Sequence, residues 1–193
     1  MYINAMGTYV PSLRIDNDYF KDVNGLTGEW ILQRTGISSR SKCAPGENVN
    51  TMAFDAVEDA RQHLPYDVKD VDLIVAAHYV AYDTVATVAH EVQRRFNIHG
   101  AKAVYASSAC SSFINGLEII EGYFAMGKAT KALLVCSEEN TYYSNESDPK
   151  SGHLWGDAAV AFFLSKDKAA DTDGLGLKPL VWVRGSPARL KLR

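Results

Sequence analysis

Short apolar runs separated by longer amphipathic stretches are the feature that most constrains the fold of this chain. The runs occupy residues 73–77, 103–106, 132–136 and 158–164. Segments of this length that are apolar on both faces are typical of central strands in a sheet covered on both sides. The sequence therefore predicts a buried sheet with other elements packed against each of its faces.

The stretches between these runs have a helical pattern. Apolar residues recur at spacings of three and four in residues 51–63, 84–96 and 111–126, which is typical of amphipathic helices. Because predicted strands and helices alternate along the chain, we expect an α/β fold whose sheet is parallel or mixed and carries helices on both faces.

Composition excludes several classes of protein. The chain has 193 residues, of which 47% are hydrophobic and 22% charged, as in ordinary globular proteins of one large or two small domains. A net charge of -3 gives no reason to expect nucleic acid or an anionic membrane as a partner. No apolar run approaches the ~20 residues of a membrane span, and residues 1–9 lack the features of a signal peptide. We therefore expect a cytoplasmic protein.

The three cysteines are Cys43, Cys110 and Cys136. An odd, widely spaced set without a CxxC pair argues against a disulfide framework and against a zinc site. Cys136 ends an apolar run and is predicted to lie in the core, whereas Cys43 lies in a loop rich in Ser, Lys and Pro and is predicted to be an incidental surface residue.

Cys110 stands in a different context. It lies in the segment Ala-Ser-Ser-Ala-Cys-Ser-Ser-Phe at 106–113, between an apolar run and an amphipathic helical pattern. The first turn of a helix presents unpaired N–H groups and the positive end of the helix dipole, which favour a thiolate over a thiol. Small neighbours would let a thioester approach the sulfur. The segment therefore indicates a nucleophilic cysteine, although burial as a small hydrophobic residue is the commoner fate of a single cysteine.

A second candidate site lies in the segment Gly-Glu-Trp-Ile-Leu-Gln-Arg-Thr-Gly-Ile at 28–37. Trp30 and Arg34 are four residues apart, which places an aromatic ring and a guanidinium on the same side of a helical turn. Such a pair could stack on adenine and bind a phosphate. A surface contact between the two side chains without a ligand is the alternative interpretation.

Taken in order, these segments resemble the beta-ketoacyl-ACP synthase III family. The resemblance is carried by residues 1–11, 29–37, 51–54, 72–75, 109–113 and 156–160. It is collinear from residue 1 to about residue 165 and corresponds to the N-terminal half of the family's sequence. Members of the family have the thiolase fold, so the resemblance implies a thiolase-like half with a mixed five-stranded sheet and helices on both faces.

The resemblance also implies an activity. Family members are homodimeric acyltransferases of fatty acid biosynthesis that need no cofactor and no metal. They move an acyl group from acyl-CoA to a cysteine and then condense it with malonyl-ACP, giving 3-oxoacyl-ACP, CoA and carbon dioxide. The acyl-accepting cysteine corresponds to Cys110, whose backbone N–H would form one side of an oxyanion hole. The residues that contact CoA correspond to Trp30 and Arg34.

The chain departs from the family in several places. The family's catalytic His and Asn belong to its C-terminal half, and none of the five His here lies in the family's His motif. The segment 150–155 is shorter than usual and lacks the Arg that often faces the Trp across adenine. Val85 matches a residue that limits acyl length, and its small size favours a longer or unusual acyl chain.

Residues 174–193 contain five basic residues and no acidic one, unlike the rest of the chain. We expect residues 1–170 to form the domain that carries the nucleophile and residues 171–193 to be an atypical basic tail or a truncated end. The expected function is that of an incomplete synthase III, which alone would not be competent for condensation. The alternatives are a thiolase-fold enzyme that makes resorcinol- or polyene-type products, and a non-catalytic interaction module from a disrupted gene.

Overall fold

The computed structural model describes residues 1–79 and 83–168, and the backbone of residues 175 and 176. Apart from these two residues, the predicted basic tail lies outside the described residues. The predicted domain boundary at residue 170 therefore stays a prediction.

One mixed sheet forms the centre of the molecule. Its strands, in spatial order, are β5 (Lys102–Ala106), β4 (Leu73–Ala77), β6 (Lys131–Glu138), β7 (Ala158–Ser165), β1 (Tyr2–Tyr9) and β8 (Leu175–Gly176). The strands β5, β4 and β6 are parallel, whereas β7 is antiparallel to both β6 and β1. Five long strands and a two-residue edge strand thus confirm the predicted mixed five-stranded sheet.

Helices cover both faces of this sheet, as predicted. On one face, α3 (Val49–Arg61) and α4 (Val88–Arg95) bury a cluster that includes Met52, Val57 and Phe163. On the other face, α5 (Ser112–Ala125) buries a cluster that includes Leu117, Ile120 and Leu134. Three of the four predicted apolar runs correspond to the central strands β4, β6 and β7. The fourth run, at 103–106, forms β5, which lies at the edge of the sheet and is only partly buried, where the sequence predicted a central strand.

A smaller unit lies beside the main sheet. Its strands β2 (Leu13–Asp16) and β3 (Ser39–Lys42) form an antiparallel pair, and the chain between them forms α1 (Tyr19–Asn24) and α2 (Gly28–Thr35). The helix α2 begins after Thr27, whose side chain accepts a hydrogen bond from the N–H of Trp30, and it ends at Gly36 with a φ of 73°. This unit carries the predicted Trp30–Arg34 pair.

The predicted helix over 84–96 begins later than its apolar pattern indicated. The carboxylate of Asp83 accepts hydrogen bonds from the backbone N–H groups of Val85 and Ala86 at 2.7 and 3.3 Å. These bonds hold the segment as a turn, and α4 begins only after Thr87. Asp side chains commonly compete with helix formation in this way, so the start at Thr84 was wrong by four residues.

Candidate active site

Cys110 lies at a strand-to-helix junction, which is the position that the sequence predicts. The strand β5 ends at Ala106, a single 3₁₀ turn covers Ala109–Ser111, and α5 begins at Ser112. Cys110 is an exposed free thiol. An exposed thiol in the turn that leads into a 14-residue helix can be reached by a thioester.

The backbone around Cys110 leaves a donor available. Within the described part of the chain, the N–H of Cys110 has no hydrogen-bond acceptor, whereas the N–H of Ser111 binds the Ser108 carbonyl at 3.2 Å. An unpaired N–H adjacent to a nucleophile is the arrangement that stabilises an oxyanion during acyl transfer. This observation supports the role that the resemblance implies for Cys110, which stays a prediction.

The ends of two neighbouring strands support the loop before Cys110. The N–H of His78 donates to the Ala106 carbonyl at 3.3 Å, and the Ser107 hydroxyl donates to the Tyr79 carbonyl at 3.2 Å. The N–H of Tyr79 in turn donates to the carboxylate of Glu138 at the end of β6. Sequence reasoning missed these residues. Their position at the ends of apolar runs was the available clue, because the carboxyl ends of parallel strands meet at one edge of a sheet.

Trp30 and Arg34 contact each other as predicted. The Arg34 guanidinium carbon lies 4.8 Å from the centre of the Trp30 ring, and Trp30 is 37% exposed. The ring of His153 lies 5.7 Å from that of Trp30 in an edge-to-face arrangement. His153 thus packs beside the tryptophan in the segment where the family often has an Arg. The sequence alone gave no indication of this contact.

His153 is almost fully buried, with 3% of its surface exposed. Within the described residues its Nδ1 atom has no hydrogen-bond partner. Burial, and after it the positive charge of Arg40, lower the pKa of His153. Both effects favour the neutral form of the imidazole beside Trp30.

The connection from β6 to β7 starts at the same edge of the sheet as the loop that carries Cys110, because β5, β4 and β6 are parallel. It leaves the end of β6, contains His153 and reaches β7 through Asp157. The buried carboxylate of Asp157 accepts hydrogen bonds from the N–H of Cys43 at 2.9 Å and from the N–H and hydroxyl of Thr141 at 2.9 and 2.6 Å. These bonds fix the connection to the smaller unit. The proposed channel from Trp30 to Cys110 stays a prediction.

The other two cysteines differ from Cys110. Cys43 was predicted to be a surface residue, but it is half-buried, with its sulfur 3.6 Å from that of Met52. Burial and the carboxylate of Asp157 raise the pKa of Cys43 to about 12. Burial and the carboxylate of Glu138 raise the pKa of Cys136 to about 12. Neither thiol is suited to nucleophilic attack near neutral pH.

Val85 is 86% exposed, in the turn that precedes α4. Its predicted role in an acyl pocket stays a prediction. An open cavity of about 370 Å³ lies near the smaller unit, lined by Val10, Arg14, Ile37, Ser39, Arg40, Ser41, Leu154 and Gly156. None of the predicted site residues lines it.

Among the described residues, no helix is long and apolar enough to cross a membrane. The described part of the chain also contains no group of three or more His, Cys, Asp or Glu that could hold a metal ion.

Comparisons with known proteins define the class to which this fold and site belong. The family model for 3-oxoacyl-[acyl-carrier-protein] synthase III matches residues 106–178, which include Cys110 and Asp157. A beta-ketoacyl-[acyl-carrier-protein] synthase III of Staphylococcus epidermidis is 32% identical over 166 residues, which are 86% of this chain and 51% of the relative.

Solved structures agree with the sequence comparisons. The 3-oxoacyl-[acyl-carrier-protein] synthase III of Aquifex aeolicus superposes with a TM-score of 0.82 and 27% identity, over 87% of this chain and 54% of that structure. A priming beta-ketosynthase from the R1128 polyketide biosynthetic pathway superposes with a TM-score of 0.80 and 26% identity, over 84% of this chain and 49% of that structure.

These matches show the fold of thiolase-like condensing enzymes. The chain is similar to members of the beta-ketoacyl-ACP synthase III family, and it spans about half the length of the relatives that it matches.

Proposed function

We propose that this chain provides the acyl-accepting half of an acyltransferase of the 3-oxoacyl-ACP synthase III type. The single observation that carries the proposal is the exposed Cys110 at the junction of β5 and α5, inside the region that matches the family model. Acyl-CoA is the proposed donor and malonyl-ACP the proposed acceptor, and the proposed reaction needs no cofactor.

In the first half-reaction the Cys110 sulfur attacks the carbonyl carbon of the acyl thioester. The carbon–sulfur bond to CoA then breaks, and CoA leaves as a thiolate that takes up a proton. A thiolate suits both steps because it is a strong nucleophile and also a good leaving group. The free N–H of Cys110 would stabilise the tetrahedral oxyanion.

In the second half-reaction the bond between the malonyl carboxylate and its α-carbon breaks, and carbon dioxide leaves. The resulting enolate carbon attacks the acyl group on Cys110, and the cysteine is released as a thiolate that takes up a proton. Donors aimed at the enolate oxygen must support this step. We assign none of the described residues to that task.

Trp30 and Arg34 are the proposed CoA contacts. The Arg34 guanidinium already lies over the Trp30 indole ring. An adenine of CoA that stacks on the same face of the ring would therefore have to displace the guanidinium toward the phosphates of CoA. That movement would exchange a cation–π contact for a charge-assisted hydrogen bond, which is the stronger interaction.

A homodimer is the proposed assembly of the whole protein, and the cytoplasm its proposed location. Among the described strands, β5 is at the end of the sheet and pairs only with β4. Its free edge could pair with the same strand of a second copy, which would give a two-fold interface. Sedimentation analysis of the protein tests this assembly.

A second candidate function is priming of a polyketide, in which the same cysteine would accept a starter acyl group. The similarity to the priming ketosynthase supports this candidate. In both cases acylation of Cys110 must release one CoA per chain. Chromatographic measurement of CoA after mixing with acyl-CoA tests the shared step. We expect the wild type to release CoA and Cys110→Ala to release none. Release of CoA by both proteins would show that Cys110 is not the acyl acceptor.

A further inference from the structure

Ala109, the residue immediately before Cys110, has an unusual backbone conformation. Its φ is 52°, in the left-handed region. In this region the Cβ of an L-residue crowds a carbonyl oxygen, so glycine is the residue that normally adopts it. An alanine persists there only when its surroundings hold it in place.

The side chain of Ser112 provides such a constraint. Its hydroxyl accepts a hydrogen bond from the N–H of Ser108 at 2.9 Å and donates one to the carbonyl of Ala109 at 2.7 Å. The hydroxyl therefore binds the backbone on both sides of the Ala109 φ angle. Ser112 is 3% exposed, so water does not readily replace either bond.

Two other side chains bind this turn without contacting the backbone of Ala109. The Ser111 hydroxyl donates to the Ser108 carbonyl at 2.7 Å, and the Asn115 side-chain amide donates to the Ser108 hydroxyl at 2.8 Å. Both contacts end at Ser108, whereas the Ser112 hydroxyl also binds the Ala109 carbonyl. Of these three side chains, Ser112 therefore constrains the Ala109 backbone most directly.

We propose that Ser112 is a positioning residue, whose hydroxyl holds Ala109 in the left-handed conformation and thereby presents Cys110 and its N–H outward. Residue 112 directly follows the turn that carries the sulfur. Its hydroxyl therefore links the first residue of α5 to the backbone of residues 108 and 109, which determines where Cys110 points. The role of this arrangement in acyl transfer rests on the proposed function, but the arrangement itself does not.

The test measures the rate at which iodoacetamide alkylates Cys110 in the 193-residue chain, with Cys136 as the internal reference. The reagent must reach the sulfur, and we expect the turn to keep Cys110 exposed to it only while Ala109 keeps its conformation. We expect Ser112→Ala to slow Cys110 about tenfold, corresponding to ~1.4 kcal/mol. Adding Ala109→Gly should restore most of the rate, because glycine adopts a positive φ without the Cβ penalty.

The matched control is Ser111→Ala, which removes a neighbouring hydroxyl that does not bind the Ala109 backbone, and it should stay within about twofold of the wild type. A rate for Ser112→Ala within twofold of the wild type would overturn the proposal. So would a Ser112→Ala/Ala109→Gly double variant as slow as Ser112→Ala.

If Ser112→Ala unfolds, which rapid alkylation of Cys136 would reveal, the decisive variant is Ala109→Val with Ser112 intact. A β-branched residue strongly disfavours a positive φ, so we expect this variant to slow Cys110 at least tenfold. A wild-type rate would overturn the proposal. Because iodoacetamide is not a thioester, failure of acyl-CoA to acylate Cys110 would count against the proposed function without affecting this comparison.

Discussion

Gly116 of α5 lies against Ala77 of β4 with no room for a side chain between them. A methyl group at residue 116 would be 2.8 Å from the Ala77 Cβ and 2.7 Å from a Leu134 methyl carbon. The absence of a side chain lets the first turns of α5 approach the sheet closely. This approach fixes the first turns of α5 against β4, and these turns directly follow the 3₁₀ turn that carries Cys110.

Gly116→Ala should therefore destabilise the fold by ~1–3 kcal/mol, as overpacking of a core does. Gly122→Ala is the matched control on the same helix, because a methyl group there meets nothing within 4 Å. It should stabilise the fold by ~0.5–1 kcal/mol through helix propensity. Urea unfolding measures both, and a stabilising Gly116→Ala would contradict the close approach.

The three cysteines should differ in reactivity. Cys110 is exposed, whereas burial and the carboxylate of Glu138 raise the pKa of Cys136 to about 12. At pH 7.5 we expect iodoacetamide to label Cys110 at least ~10 times faster than Cys136, with peptide mapping as the measurement. Comparable rates in the folded chain would show that Cys110 has no special environment.

Trp30 and Arg34 should contribute to binding of CoA. We expect Trp30→Ala and Arg34→Ala each to weaken CoA binding roughly tenfold, the loss of a stacking contact or of a charge-assisted hydrogen bond. Calorimetric titration measures the affinity. Arg94→Ala is the control, because Arg94 is another exposed arginine, paired with Glu91 on α4. Equal affinities of Arg34→Ala and Arg94→Ala would remove Arg34 from the proposed site.

Acylation and condensation should separate in the 193-residue polypeptide taken alone. Loss of one oxyanion donor typically lowers the rate by ~10²–10³-fold. When several donors act together, the effects of losing them are not additive. We therefore expect no 3-oxoacyl-ACP from acyl-CoA and malonyl-ACP in a chromatographic assay. Turnover at the rate of a full-length synthase would mean that the 193-residue chain supports decarboxylation by itself, and His153→Ala would then be the first variant to test.

Sequence periodicity was sufficient to predict the sheet and its helices, because three of the four apolar runs form largely buried strands at the centre of the sheet. The run at 103–106 was recognised as a strand, but its apolar pattern did not reveal that β5 lies at the edge. The position of Cys110 followed from the same pattern, since an apolar strand, small residues and a helix occur there in order. The four-residue spacing of Trp30 and Arg34 predicted that the two side chains lie together, which the structure confirms, and the resemblance added their proposed role in binding CoA.

Contacts between distant segments could not be predicted in this way. The packing of His153 against Trp30 joins residues that are far apart in sequence, and no local pattern encodes it. The burial of Cys43 depends likewise on Met52 and Asp157. The late start of α4 had a local cause in Asp83, but apolar spacing alone did not reveal the competing turn.

Acylation of Cys110 by acyl-CoA tests the central claim most directly. The chain is mixed with acetyl-CoA and with a longer acyl-CoA, and intact mass followed by peptide mapping locates any thioester. We expect one acyl group per chain, on Cys110. This group should be absent in Cys110→Ser and should be removed by hydroxylamine. An unmodified chain, or acyl groups on Cys43 or Cys136 in place of Cys110, would contradict it.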